Sequence, residues 1–135
     1  MKSSVKLIGQ SVFMRLVISG AILLLISMTA QAQKETEVFI PIRKSPGISG
    51  KFSLIGNVQT VNTKDSVITI KTERAEEIKT IKIHAGTSIY LDKSSLKQTN
   101  QKGSLPDIKQ GLMVEIKFKD NKATGPCEWI KVQLK

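Results

Sequence analysis

The sequence holds very few of the side chains from which catalytic and metal sites are usually built. Its 135 residues include one cysteine and one histidine, Cys127 and His84. These counts exclude an intramolecular disulfide framework, a cysteine-pair zinc site and a histidine-cluster metal site. A serine–histidine–aspartate or cysteine–histidine catalytic device would have to use His84. Aromatic residues are also sparse, at 4 % of the chain, so a base-stacking surface for nucleic acid has few candidates.

The first 32 residues predict a secretory signal peptide. Basic residues precede an uncharged apolar run over residues 16–28, and the small residues of the sequence AQA end at Ala32, where cleavage is predicted. The run is shorter than the ~20 residues of a membrane-spanning helix, although an uncleaved anchor is the alternative. No cysteine lies near the cleavage site, which excludes a bacterial lipoprotein anchor. We therefore expect a periplasmic or secreted protein without a transmembrane segment after processing.

The mature chain is basic, and almost all of its cations are lysines. Removal of residues 1–32 takes three basic residues and no acidic one, so the net charge falls from +10 to +7. Only Arg43 and Arg74 remain as arginines. Because arginine is the usual reader of phosphates and base edges, nucleic acid is disfavoured as a partner. The expected partner is a protein or an anionic polymer of the cell envelope.

Residues 33–50 predict an extended lead-in arm before the folded domain. The apolar stretch from Val38 to Ile42 contains Pro41, which disfavours a central strand, and turn-forming residues follow as far as Gly50. The sequence leaves open whether this stretch packs on its own domain or on another chain.

Residues 51–135 predict an all-β domain. Short segments with alternating apolar residues are separated by turn-forming residues. The predicted strands cover residues 52–61, with a bulge near Gly56, and residues 67–72, 78–84, 87–91, 113–118 and 128–134. Residues 92–104 are polar and predict a surface loop, and residues 106–111 predict one helical turn before the penultimate long strand. The simplest fold that accommodates these strands is a small antiparallel barrel of five to six strands.

Six short motifs strengthen this expectation because they occur in a familiar order. They are residues 56–61 (GNVQTV), 68–70 (ITI), 87–89 (TSI), 107–111 (DIKQG), 114–116 (VEI) and 130–132 (IKV). On these motifs the chain from Leu54 to Val132 resembles a family of uncharacterised bacterial exported domains with a small OB-like β-barrel. The resemblance implies the fold. It implies no functional residues, because the family has no established activity.

The periplasmic copper-chaperone barrels are a neighbouring comparison. They are also exported five-stranded barrels, and they hold copper with histidine, methionine and a tryptophan. His84, Met113 and Trp129 resemble that set, and Met113 is the only methionine of the mature chain. Because soft metals prefer several sulfur or imidazole ligands, His84, Met113 and Cys127 would have to converge. A copper-type metal-binding protein is therefore one alternative function.

The second alternative is a binder of anionic envelope polymer through a lysine-rich strand face. Alternation places Lys82, Lys117 and Lys131 on the outer side of their strands, with Trp129 and Tyr90 as aromatic candidates. Barrels of this kind bind polymeric ligands across a strand face, with cations for the backbone and aromatics for stacking.

No catalytic residues and no cofactor are expected. The carboxylates Glu73, Glu76, Glu77 and Asp92 are scattered rather than paired across a cleft. Cys127 is expected to be a semi-buried structural thiol, with an intermolecular disulfide as the alternative. We therefore expect a non-enzymatic module with a binding or interaction role in the cell envelope.

Overall fold

A computed structural model describes residues 36–120 and 122–135, and these ranges contain seven β-strands and two short 3₁₀ turns. The all-β class is confirmed, whereas the predicted signal peptide and its cleavage site lie outside the described residues. No helix in the described ranges is long and apolar enough to cross a membrane. The strands are β1 (Ser53–Asn62), β2 (Val67–Thr72), β3 (Ile78–Lys82), β4 (Ser88–Asp92), β5 (Gln101–Lys102), β6 (Met113–Phe118) and β7 (Cys127–Gln133).

The strands form one sheet that curls into a small barrel. Their order is β3-β2-β1-β6-β7-β4-β5. β3 and β4 lie near opposite ends of this order, yet only residues 83–87 separate them in the chain, so the sheet must bend back on itself. One pairing differs from the antiparallel expectation, because β4 pairs with β7 in parallel. Residues 93–126 form the long connection that a parallel pair requires.

A short helical turn precedes β6, as the sequence predicts, although it covers Leu105–Asp107 rather than residues 106–111. Its start is fixed by Ser104, whose backbone N–H donates to the Asp107 carboxylate over 2.8 Å. This reciprocal capping ends the polar loop and directs the chain into the penultimate long strand.

The irregularity predicted near Gly56 occurs three residues later. The register of β1 against β2 shifts between Val58 and Thr60, which places the bulge at Gln59. Gly56 is instead a buried position in regular pairing on both sides, with Thr72 of β2 and Val114 of β6. A glycine is needed there because a Cβ atom would lie 2.4 Å from the carbonyl oxygen of Lys71.

Isoleucine and valine side chains from β1–β4, β6 and β7 fill the barrel. The side of β6 and β7 predicted to face the core is confirmed, since Val114, Ile116, Ile130 and Val132 belong to the core cluster. The other side of these strands is buried as well at Glu115, Trp129 and Lys131. The first predicted strand begins one residue too early, because Phe52 lies in the turn before β1 and its side chain is 37 % exposed.

The arm, which we define as residues 37–50, consists of consecutive turns and is not extended. Arg43, Gly47 and Gly50 have positive φ angles of 70°, 71° and 72°, so the chain reverses repeatedly. Val38 and Ile42 are buried, whereas Phe39 is 60 % exposed. Val38 and Ile42 therefore pack within the same chain, Val38 against Tyr90 and Trp129 of the barrel, whereas Phe39 does not.

Candidate functional site

Three of the five candidate binding residues lie beneath the arm. Tyr90, Trp129 and Lys131 belong to the outer side of their strands, but all three are buried. Val38 and the half-buried Ile48 of the arm pack in one cluster with the rings of Tyr90 and Trp129. We call this outer side of β4, β6 and β7 the covered face.

Lys131 is the centre of the covered face. Its side chain is 1 % exposed, and its Nζ donates to the Glu37 carboxylate over 2.9 Å and to Ser45 Oγ over 2.8 Å. The Ser45 hydroxyl donates in turn to Glu37 over 3.0 Å, and Lys131 Nζ stacks 4.4 Å above the centre of the Trp129 ring. Glu37 and Ser45 belong to the arm, so the arm supplies the countercharge of a buried ammonium.

Two buried carboxylates bind the arm through its backbone. Asp92 accepts a hydrogen bond of 2.8 Å from the N–H of Ile42, and Glu115 accepts one of 2.8 Å from the N–H of Arg43. Glu115 also accepts the hydroxyl of Ser53 over 2.7 Å. The polar groups of the covered face are therefore satisfied largely by the arm, which makes the arm an integral part of the fold.

The remaining two lysines of the predicted strand face have partners of their own. Lys117 forms an ion pair with Glu128 on the neighbouring strand β7. Lys82 donates from Nζ to the carbonyl oxygen of Asp65 over 2.6 Å. The five candidates thus do not form one open surface, because the arm covers three of them and an ion pair holds Lys117.

Two of the three metal-ligand candidates line one cleft, and the third lies elsewhere. His84 and Cys127 both line a cleft of about 430 Å³ between β3 and the β6–β7 connection. Met113 begins β6, whereas Cys127 pairs with Phe118 at the other end of that strand. Five residues of strand separate the two ends, or about 16 Å. No group of three histidine, cysteine or acidic side chains suited to a metal ion occurs among the described residues. The copper hypothesis stays a prediction, resting on two residues at this cleft.

Cys127 is a structural thiol in this arrangement. The residue is 2 % exposed, and its Sγ donates weakly to the carbonyl oxygen of Lys82 over 3.7 Å. Burial raises the pKa of the Cys127 thiol to about 11. Its burial restricts access by a thiol of another chain, and the protonated form is a poor nucleophile.

We expect Cys127 to react with iodoacetamide at least about 100-fold more slowly in the folded than in the unfolded protein at about pH 8, because the reactive thiolate is scarce.

The raised pKa of Cys127 also predicts a pH dependence of stability. The contribution of the buried thiol to the free energy of unfolding is complete below the unfolded thiol pKa of about 8.5 and is lost as the pH rises towards 11. Rapid alkylation of the folded protein at about pH 8 would contradict this placement.

The connection between β4 and β5 presents lysines that lack acidic partners. We call residues 93–102 the lysine loop; it holds Lys93, Lys97 and Lys102, and none of the three forms an ion pair within the described residues. The loop contains no acidic residue, and Leu96 at its 3₁₀ turn is 42 % exposed. The sequence predicts this segment only as a polar surface loop and not as a binding site. The sequence does carry a signal for this site, because the segment holds three lysines and no acidic residue.

Hydrogen bonds hold the lysine loop in one conformation. The Asp92 carboxylate accepts the N–H of Ser94 over 2.9 Å and its hydroxyl over 2.6 Å. The buried Asn100 accepts the N–H of Lys93 over 2.7 Å, which ties the two ends of the loop together. Asp92 therefore braces both the arm and the lysine loop.

Comparison with known proteins gives a limited result. No family model matches the chain, and no curated protein matches it. Among solved structures the chain is similar to a Cu(II) form of a CusF variant from Escherichia coli, with 19 % identity and a TM-score of 0.41. The similarity covers 61 % of this chain and 90 % of that one.

Proposed function

We propose that this chain is an exported, non-enzymatic β-barrel module that binds an anionic polymer of the cell envelope through the lysine loop. The observation that carries the proposal is a hydrogen-bonded loop that presents Lys93, Lys97 and Lys102 without an acidic side chain among them. Such lysines attract a polyanion because its charged groups take the place of the small anions that otherwise surround the lysine ammonium groups in solution.

The distribution of ion pairs supports this loop over the strand face expected from the sequence. Lys117 and Lys131 are already neutralised by Glu128 and Glu37. The lysine loop retains its charge, and Leu96 offers an apolar contact beside it. Its conformation is set before binding, so fewer side-chain and backbone degrees of freedom are lost when the polymer binds.

Binding is tested with dextran sulfate as the polyanion and neutral dextran as the control. We expect salt-dependent binding to dextran sulfate, with affinity falling about 100-fold for a tenfold rise in salt if three lysines engage charged groups. Neutral dextran should not bind, because it offers no charge to the lysines.

A pair of charge-matched triple variants separates a site from general attraction. Lys93→Glu/Lys97→Glu/Lys102→Glu should weaken dextran sulfate binding at least about 30-fold. Lys64→Glu/Lys109→Glu/Lys119→Glu carries the same change of net charge at exposed positions outside the loop and should weaken it by about 3-fold or less. Equal losses in both variants, or binding that does not depend on salt, would exclude the lysine loop as the site.

A further inference from the structure

A second candidate site lies where the barrel wall is interrupted. β3 ends the sheet order, and in the described part of the chain it pairs with β2 alone. Its other side faces the start of β7, where the Cys127 Sγ contact to Lys82 replaces a ladder of backbone hydrogen bonds. The result is a cleft of about 430 Å³ between β3 on one side and Phe118 with residues 123–127 on the other, which we call the seam cleft.

The walls of the seam cleft combine an apolar body with a cationic rim. Ile81 and Phe118 are buried core side chains that reach its floor, and Pro126 adds apolar surface. Lys82 and His84 line it as the basic residues, and none of its ten lining residues is acidic. The charge of the lining therefore favours an anion, while the floor favours an apolar group.

The donors at the rim are available and partly positioned. Lys82 Nζ donates one hydrogen bond to the Asp65 carbonyl oxygen in the β1–β2 turn, and the ammonium has two further N–H groups that a ligand can accept from. His84 is exposed, and its imidazole makes no hydrogen bond or ion pair within residues 36–120 and 122–135. Both residues line the same cleft, so the cleft has a lysine and a histidine with which a carboxylate could interact.

The opposite wall is held in shape by Asp120. Its carboxylate accepts the N–H of Lys122 over 3.0 Å and the hydroxyl of Thr124 over 2.8 Å, and these bonds lower the pKa of Asp120. Asp120 is not among the residues lining the cleft, and its charge is directed into its own loop. These two hydrogen bonds lie within the loop and do not require a ligand.

From this geometry we propose that the seam cleft binds a small amphipathic monocarboxylate, with its carboxylate at Lys82 and His84 and its apolar chain over Phe118 and Ile81. The volume lies within the ~300–1,000 Å³ of small-molecule sites. A single negative charge matches the single ammonium at the rim. The proposal does not depend on the lysine loop, which belongs to a different connection of the barrel.

Octanoate is the probe, with octanol as its uncharged counterpart, and calorimetry on the whole protein is the measurement. We expect one octanoate to bind per chain and octanol to bind at least about 10-fold more weakly, because it lacks the charge that Lys82 recognises. Lys82→Glu should weaken octanoate binding at least about 10-fold. The exposed control Lys109→Glu has the same change of net charge and should stay within about 2-fold.

Two further readouts make the outcome decisive. Octanoate should shift the amide NMR resonances of Thr80 and Thr124, which line the cleft, more than that of Leu134, which does not. The lysine-loop triple variant should bind octanoate as the unchanged protein does, so failure of one site is distinguishable from failure of the other. Absence of octanoate binding, equal losses in Lys82→Glu and Lys109→Glu, or shifts confined to other residues would overturn the proposal.

Discussion

Replacing Glu37 with leucine is expected to lower the free energy of unfolding by about 3 kcal/mol, because the change removes the carboxylate that forms the ion pair with a buried ammonium. The Lys131 side chain is 1 % exposed, and after the substitution its Nζ would keep only Ser45 Oγ and the ring of Trp129 as partners. Chemical denaturation monitored by the fluorescence of the single tryptophan, which lies in this cluster, measures the loss.

Two comparison variants show whether the loss belongs to the buried pair. Glu77→Leu removes the carboxylate of the ion pair between Glu77 and Lys79. The two side chains are 57 % and 40 % exposed, respectively, so the change should alter the free energy of unfolding by no more than about 0.5 kcal/mol. The double variant Glu37→Leu/Lys131→Met removes both buried charges and should recover most of the loss. If Glu37→Leu unfolds like Glu77→Leu, the arm does not provide the countercharge of Lys131.

Most of the barrel could be predicted because its strands carry their own pattern. Residues 67–72 and 113–118 are predicted strands with the bounds that the structure gives to β2 and β6. β-branched residues at alternate positions specify both the strand and the side that is buried. The parallel pairing of β4 with β7 could not be predicted in the same way, because alternation within a strand does not identify its neighbour.

The covered face shows the limit of the same reasoning. Alternation correctly separates Trp129 and Lys131 from the core side of β7, but it does not say whether the outer side meets solvent or another segment. The contact that buries Lys131 comes from Glu37, 94 residues earlier in the chain. A single sequence does not show which distant segment supplies such a partner, so alternation predicts an outward lysine without predicting that it is buried.

The lysine surface expected from the sequence differs from the one in the structure for a related reason. Lys117 and Lys131 have carboxylates within reach once the sheet is formed, whereas Lys93 and Lys97 form no ion pair within the described residues. Charge counted along the chain therefore overstates the basic character of the strands and understates that of the loop. Within the described residues the lysine loop brings three lysines without an ion pair into one connection of the barrel.

Gly56→Ala is the second substitution with a large expected effect, at a cost of about 3 kcal/mol. Gly56 lies in the middle of the sheet, and a Cβ atom there would be 2.4 Å from the Lys71 carbonyl oxygen and 3.1 Å from the Thr72 Cα. Both contacts are with backbone, so relief requires β1 and β2 to move apart rather than a side chain to rotate. Because β1 also pairs with β6, that movement would disturb the pairing on its other side as well.

Gly86→Ala provides the matched control, since nothing lies within 4 Å of a Cβ at that position and its φ angle is not positive. It should leave the free energy of unfolding within about 0.5 kcal/mol of the unchanged protein, or raise it slightly by restricting the unfolded chain. The two alanine variants differ from each other only in position, so the difference between their denaturation midpoints isolates the cost of the added methyl group at the β1–β2 contact. Equal stability of the two variants would show that β1 and β2 do not approach as closely at Gly56 as their pairing indicates, and would favour the bulge at Gly56 that the sequence alone predicts.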